Sequence, residues 1–241
     1  MHQEQSPADD LSRLRAEYAD RARRLVGSDL YSPFNLPNLF ATQQRTRQVL
    51  TALRQGGIFP LEGKRILEVG CGDGGVLFEY LTYGSQQVHL HGLDLLPERL
   101  VVARQLLPSA PLLVADGQHL PYSAGTFDLV VQYTAFSSLL DGDIKQRMAV
   151  EMLRLLRPGG AILWYDFWWN PSNPQTRGIR PAEIRTLFPG CRFDFHRITL
   201  APPIARRIVP ASWLFAAFLE KLVIFNSHYL VLIRPTGNSA G

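Results

Sequence analysis

Between Ile66 and Gly75 an apolar run, Ile66-Leu67-Glu68-Val69, breaks into Gly70-Cys71-Gly72-Asp73-Gly74-Gly75, four glycines in six positions. That order reads as a buried strand stopping at a backbone turn shaped for a ligand, because glycine tolerates positive φ and leaves no Cβ between main chain and bound molecule. Two carboxylates close later apolar runs, Asp94 after Val88–Leu93 and Asp116 after Leu112–Ala115. Asp94 lies about 20 residues beyond the glycines, where a carboxylate can accept both hydrogen bonds of a ribose diol. Asp116 can accept from the exocyclic amino group of an adenine, with Gly117-Gln118 supplying main-chain contact. Together they point to a nucleoside cofactor before they say which one.

Spacing alone leaves two cofactors open. Gly70-x-Gly72-x-Gly74 suits an S-adenosylmethionine loop, while Gly70-x-Gly72-x-x-Gly75 matches the dinucleotide fingerprint of a nicotinamide dehydrogenase. The elements that must position the loop alternate. Asp10 to Val26 carries Leu11, Leu14, Tyr18, Ala22 and Leu25 at helical spacing, and a second helix is expected over 38–54 after a Pro/Asn/aromatic loop. Strands are expected at 65–69, 88–94, 112–115, 127–133 and 161–167, with helices at 74–83, 97–106 and 143–156 between them. Strand, helix, strand in this order implies a parallel sheet covered on both faces, with the ligand outside the carboxyl ends of the strands.

Composition bounds what can be attached to this loop. With 241 residues, 46% hydrophobic and 19% charged, the chain can bury one large core with a small cap. A single domain is expected, residues 1–59 forming a helical cap and 60–241 the core. No run approaches ~18 consecutive apolar residues, and Met1–Ser6 lacks the order of a signal peptide, so a soluble cytoplasmic protein is expected. Cys71 and Cys191 make no disulfide framework, and no Cys/His cluster has zinc spacing. From Pro171 onward nine basic residues stand against three acidic ones, a local net of +6 in a chain of net +4. That asymmetry fits a solvated basic face, as charge runs usually do, or else an anionic substrate or an acidic membrane surface, with nucleic acid the weakest reading since no nucleic-acid module is recognisable.

At residues 60–170 the chain resembles the class I S-adenosylmethionine-dependent methyltransferases. The resemblance rests on Glu68–Gly74, Leu93-Asp94, Ala115-Asp116-Gly117, Phe127-Asp128-Leu129-Val130-Val131 and Leu155-Leu156-Arg157-Pro158-Gly159-Gly160. It implies an α/β fold with a doubly wound, mostly parallel seven-stranded sheet whose last strand is antiparallel. It also implies that Glu68 orients the glycine loop and that Gly70, Cys71, Gly72 and Gly74 approach the methionyl part of the cofactor. Asp94 and Leu95 would hold the ribose side, Asp116, Gly117 and Gln118 the adenine, with Gln132 near the fourth strand end. A dehydrogenase would lack the Arg-Pro-Gly-Gly turn and the Phe-Asp-Leu-Val strand in this order.

Methyl transfer to oxygen or nitrogen needs positioning in a dry pocket and, for some nucleophiles, a base. Because the family's substrate lies over the fourth and fifth strand ends, Asp166 is the first candidate base, with Tyr165 and Tyr133 beside it; His119 is expected to cap the cofactor. Asp141 and Asp143 stand at a helix start and are explained by capping, so no metal is expected. Tyr31 and Phe34 are candidate lid residues, and Trp168, Asn170 and Arg177, within the aromatic and amide-rich stretch 166–178, are candidate acceptor contacts. The acceptor is expected to be a small molecule, a sugar, natural product or other anionic metabolite methylated on oxygen. Two rivals are a protein that binds the cofactor without catalysis, as a sensor or assembly subunit, and a C- or N-methyltransferase acting on a lipid-linked substrate. Strands are expected at 193–200 and 228–233, separated by 201–226, whose Trp213–Leu219 run is apolar on most faces. Packing on the sheet, a homodimer interface and peripheral membrane contact compete to explain it.

Overall fold

A computed structural model describes residues 7–170, 173 and 175–236, without the side chains of Pro7 and Ala8. Met1–Ser6, and Pro171, Ser172 and Pro174 of the 166–178 stretch, lie outside the described residues. The strands are β1 (Ile66–Val69), β2 (Leu90–Asp94), β3 (Leu112–Val114), β4 (Phe127–Tyr133), β5 (Leu156–Phe167), β6 (Cys191–Leu200) and β7 (Asn226–Pro235). They form one sheet in the order β3-β2-β1-β4-β5-β7-β6, with β7 antiparallel to both β5 and β6 and the other pairings parallel. This is the doubly wound, mostly parallel sheet with an antiparallel last strand that the sequence implies. The order reverses at β1, so the glycine loop leaves the sheet at its switch point.

The helices are α1 (Pro7–Arg24), α2 (Leu36–Gln55), α3 (Gly75–Thr82), α4 (Pro97–Leu106), α5 (Gly142–Leu155), α6 (Pro181–Leu187), α7 (Pro202–Ile208) and α8 (Trp213–Lys221). One face of the sheet packs Val49, Leu53, Leu77, Tyr80 and Leu100 from α2, α3 and α4. The opposite face packs Ile144, Met148, Met152 and Ile184 from α5 and α6, with Leu11 and Leu14 of α1 against its edge. The central strands β1 and β4 are buried at every position but Asp128 and are mostly apolar, interrupted by Glu68, Asp128 and Gln132. Asp141 caps α5 by accepting from the Asp143 and Ile144 amides. The strand expected from Ala161 begins at Leu156, and the span 201–226 folds as two short helices that share a small core with Phe40 of α2. Helix α6 had no counterpart among the expected elements.

Candidate active site

The loop after β1 is bent by its backbone. The Gly70 and Cys71 amides both donate to the Leu93 carbonyl at 2.9 Å, and Gly70, Gly72 and Gly74 have φ of 77°, 51° and 80°. Gly74 is also crowded, since a Cβ there would sit 3.3 Å from the Ala103 Cα. Gly75 has nothing within 4 Å of the same position. The third glycine of the dinucleotide fingerprint exists for close helix packing, which nothing here requires. The glycines demanded by the backbone are therefore 70, 72 and 74, the S-adenosylmethionine spacing.

Acidic groups gather beside this loop. Asp94 accepts from the Gly72 amide (2.8 Å) and the Leu96 amide (2.9 Å), which holds its carboxylate against the loop and leaves further lone pairs. Half-buried Leu95 lies between these contacts. Glu68 is fully buried on β1, its Oε2 has no hydrogen-bond partner, and burial pushes its carboxyl up to about 8, with Glu79 and Asp94 adding to the shift. An orphaned buried carboxylate among acids suits a cationic ligand group. Arg99 lies against Gly72, paired with Asp73 at 3.1 Å and 5.1 Å from the centre of the Tyr18 ring. Cys71 is buried and its thiol is pushed up by that burial.

At the next strand end Asp116 accepts from the Gln118 amide and side chain, and Gln118 accepts from Arg147 at 2.6 Å. Gly117 packs on Met148, and His119 is exposed beyond it. Gln132 is fully buried and accepts from the Ala135 amide, bracing the turn after β4.

A cleft of about 810 Å³ opens over the ends of β4 and β5, between α1, the start of α2 and the β6–β7 side of the sheet. Tyr165 lines it, its hydroxyl 2.9 Å from Thr199 Oγ1 and its ring stacked on His228 at 4.8 Å. Arg45, ion-paired with Glu79, lies over the rings of Tyr133 and Tyr165. Tyr133 Oη is 3.1 Å from Tyr80 Oη. Burial pushes both the Tyr165 and Tyr133 phenols up, so each serves as a hydrogen-bonding group and not as a base. Burial pushes His228 down to about 3, keeping the imidazole neutral; its Nδ1 is 3.0 Å from Ser227 Oγ, and its Nε2 has no partner among the described residues. Thr134 and Thr199 line the same cleft at φ of 57° and 66°, an uncommon conformation for branched residues that concentrates at functional sites.

Helix α1 roofs the cleft and is anchored at one end. The fully buried Asp10 carboxylate accepts from the Leu140 and Asp141 amides and from Arg13, which also donates to the Ser138 carbonyl at 2.6 Å.

These features agree with the comparisons. Residues 66–160 match the family model described as a methyltransferase domain. Residues 66–160 thus carry a methyltransferase domain of the class I S-adenosylmethionine-dependent type. It is 37% identical over 115 residues to the phthiotriol/phenolphthiotriol dimycocerosates methyltransferase of Mycobacterium leprae, covering 47% of this chain and 40% of that one. It is 29% identical over 178 residues to norajmaline N-methyltransferase of Rauvolfia serpentina, covering 68% and 59%. The chain thus spans about half the length of the curated relatives it matches. A TehB-like S-adenosylmethionine-dependent methyltransferase from Corynebacterium glutamicum shares the fold, with a TM-score of 0.57 at 19% identity, covering 96% of this chain and all of that one.

The family's cofactor fits the residues present. The three positive-φ glycines, the Asp94 carboxylate and the unpartnered Glu68 oxygen converge at the carboxyl ends of β1 and β2, and Asp116 with Gln118 flanks them past β3. Among the described residues no cluster of three His, Cys, Asp or Glu side chains is placed to hold a metal.

The expected acceptor residues divide. Tyr31 and Asn170 line the main cleft, whereas Phe34 is 91% exposed and does not. Trp168 and Arg177 line an adjoining groove that shares Trp169, Asn170 and Thr176 with the cleft, Arg177 pairing there with Glu183. Asp166, the expected base, is corrected by strand alternation. Tyr165 faces the cleft, so Asp166 faces α5, where it accepts from the Ser137 and Phe167 amides. Burial pushes its carboxyl up to about 7, and it braces the turn beside β4 without touching the cleft. His228, Ser227, Thr199, Arg45 and Asp10 were not anticipated; nothing in their local sequence marks them.

Proposed function

We propose that the protein methylates a hydroxyl of a small acceptor, apolar in body and anionic at one end, bound in the α1-roofed cleft. The observation that carries this reading is the neutral His228 imidazole with a free Nε2, stacked on Tyr165 inside that cleft. Arg21 and Arg206 on the cleft walls suit an anionic group, Arg24 being paired with Glu17 and Asp20, while Leu25, Leu30, Leu200 and Pro202 suit an apolar body. When bound, S-adenosylmethionine supplies an electrophilic methyl group on a sulfonium. Tyr165, held by Thr199, orients the acceptor; action as a base requires the His228 tautomer in which Nδ1–H donates to Ser227 Oγ, 3.0 Å away, which leaves Nε2 as the proton acceptor. A base with a lowered pKa suffices if the proton moves late, because an oxygen gaining a methyl group is a far stronger acid than the parent alcohol.

A screen of alcohols, phenols, carboxylates and amines with radiolabelled cofactor, read with calorimetric binding of S-adenosylhomocysteine, tests the reading. An O-methylated product is expected, and His228→Ala should lower turnover about 10²–10⁴-fold with cofactor affinity retained. Methylation of amines alone, insensitive to His228→Ala, would refute it, and cofactor binding without transfer to any acceptor would identify a binding protein.

A further inference from the structure

Helix α8 inverts the usual arrangement of a surface helix. Its charged Glu220 is buried, while Leu214, Phe215 and Phe218 are 81%, 48% and 55% exposed. The turn that follows continues the same surface with Leu222 and with Ile224 at 67% exposure, and Val223 between them is held at φ 61°. Positions 214, 215, 218 and 222 repeat at helical spacing, so they share one outward face. Contiguous apolar surface of this kind marks an interaction site.

Two observations select the occupant. The patch is flanked by exposed cations, Arg207 at the end of α7 and Lys221 at the end of α8, and neither forms an ion pair among the described residues. They belong to the segment with a local net charge of +6. A second copy meeting this surface about a two-fold axis would set like charges against each other, whereas an anionic bilayer complements them. The patch is also continuous with the cleft, because α7 packs on α8 and contributes Pro202, Pro203 and Arg206 to the cleft wall.

We propose that the outward face of α8 and the turn after it dock on an anionic phospholipid bilayer, with α7 placing the cleft wall next to the membrane surface. The docking is of the interfacial kind, apolar side chains below the headgroups and cations at their level. No described helix is long and apolar enough to cross a membrane. This goes beyond the methyl-transfer reading and does not depend on it.

Co-sedimentation with phosphatidylcholine vesicles containing phosphatidylserine, at low and high salt, tests the proposal on the full chain. Binding to anionic vesicles is expected at low salt, with weak binding to phosphatidylcholine alone. Arg207→Ala with Lys221→Ala should lower partitioning about 25-fold, at about fivefold per cation. Leu214→Ser with Phe218→Ser should abolish it while S-adenosylhomocysteine affinity, read by calorimetry, stays unchanged and reports that the variant is folded. Absence of sedimentation with anionic vesicles, or equal retention of both variants, would overturn the proposal. So would concentration-dependent dimers that Leu214→Ser with Phe218→Ser returns to monomers.

Discussion

Replacing Glu68 by glutamine should stabilise the cofactor-free protein and weaken its grip on the cofactor. The Glu68 carboxyl is pushed from 4.5 to about 8, first by burial and then by Glu79 and Asp94, with Arg45 and Arg99 opposing. Between those values the folded protein holds a proton that the unfolded chain has lost. Stability therefore falls as pH rises across that window, by about 1.4 kcal/mol per pH unit, and levels off above the folded value. At pH 7 the accumulated cost is about 3 kcal/mol, and near pH 4.5 it vanishes. Glutamine keeps the shape of the protonated acid and does not titrate. Urea unfolding of both proteins at several pH values isolates the effect, because Asp166, His91 and His228 are common to both and cancel in the difference. The variant's advantage should grow steadily from pH 5 to pH 8. A difference independent of pH would show that Glu68 is ionised in the folded state and refute the reasoning. A cationic ligand favours the ionised carboxyl, so binding at pH 7 should release a proton from the natural protein and none from Glu68→Gln. Calorimetry in buffers of differing ionisation enthalpy reads that proton.

Two further perturbations separate features of the site. Gly74→Ala places a side chain at φ 80° against Ala103 and should cost about 1–2 kcal/mol with a marked loss of cofactor affinity, whereas Gly75→Ala, with open space around its Cβ, should be neutral or stabilising by about 0.5 kcal/mol. Equal losses in calorimetry and thermal unfolding would return the dinucleotide spelling to contention. Asp10→Ala leaves the Leu140 and Asp141 amides without their acceptor and removes one of the acceptors of Arg13, a local cost of about 2 kcal/mol. Amide exchange in α1 should then quicken about 30-fold with the β4 and β5 core unchanged, and unaltered protection of α1 would show that the anchor lies elsewhere.

The cofactor side was legible because backbone geometry demands particular residues there. A loop that must turn with φ of 77°, 51° and 80° needs glycine, and carboxylates at successive strand ends announce themselves by closing apolar runs. Asp166 was misjudged because sequence gives alternation along β5 without giving its sign. Trp164 and Asp166 share one face and Tyr165 and Phe167 the other, but which face is roofed depends on where α1 and α2 cross the sheet. Helix α6 is short, and its Pro181 start with Ile184 and Leu187 inward becomes evident only against α5. The apolar run in 201–226 was visible, yet its orientation was not. Ala216 and Glu220 turn inward, with Trp213 against Phe40, while Leu214, Phe215 and Phe218 turn outward, against the expectation that apolar residues seek the core.

The acceptor side resists reading for a topological reason. His228 sits beside Tyr165 only because β7 inserts antiparallel between β5 and β6, which pairs Phe167 with His228 and Ile198 with His228 across the two neighbouring strands. Thr199 reaches Tyr165 through the same insertion, and Arg45 reaches it from α2 on the covering layer. Each is an ordinary residue in its own segment, and only their convergence has chemical meaning. The cofactor loop is built mainly from main chain within one stretch, so variants there act through backbone strain and affect binding first. The cleft is built from side chains remote in sequence, so a variant such as His228→Ala can change the chemistry while the fold and the cofactor site stay intact. Acceptor choice can thus diverge among relatives that keep the same glycine loop.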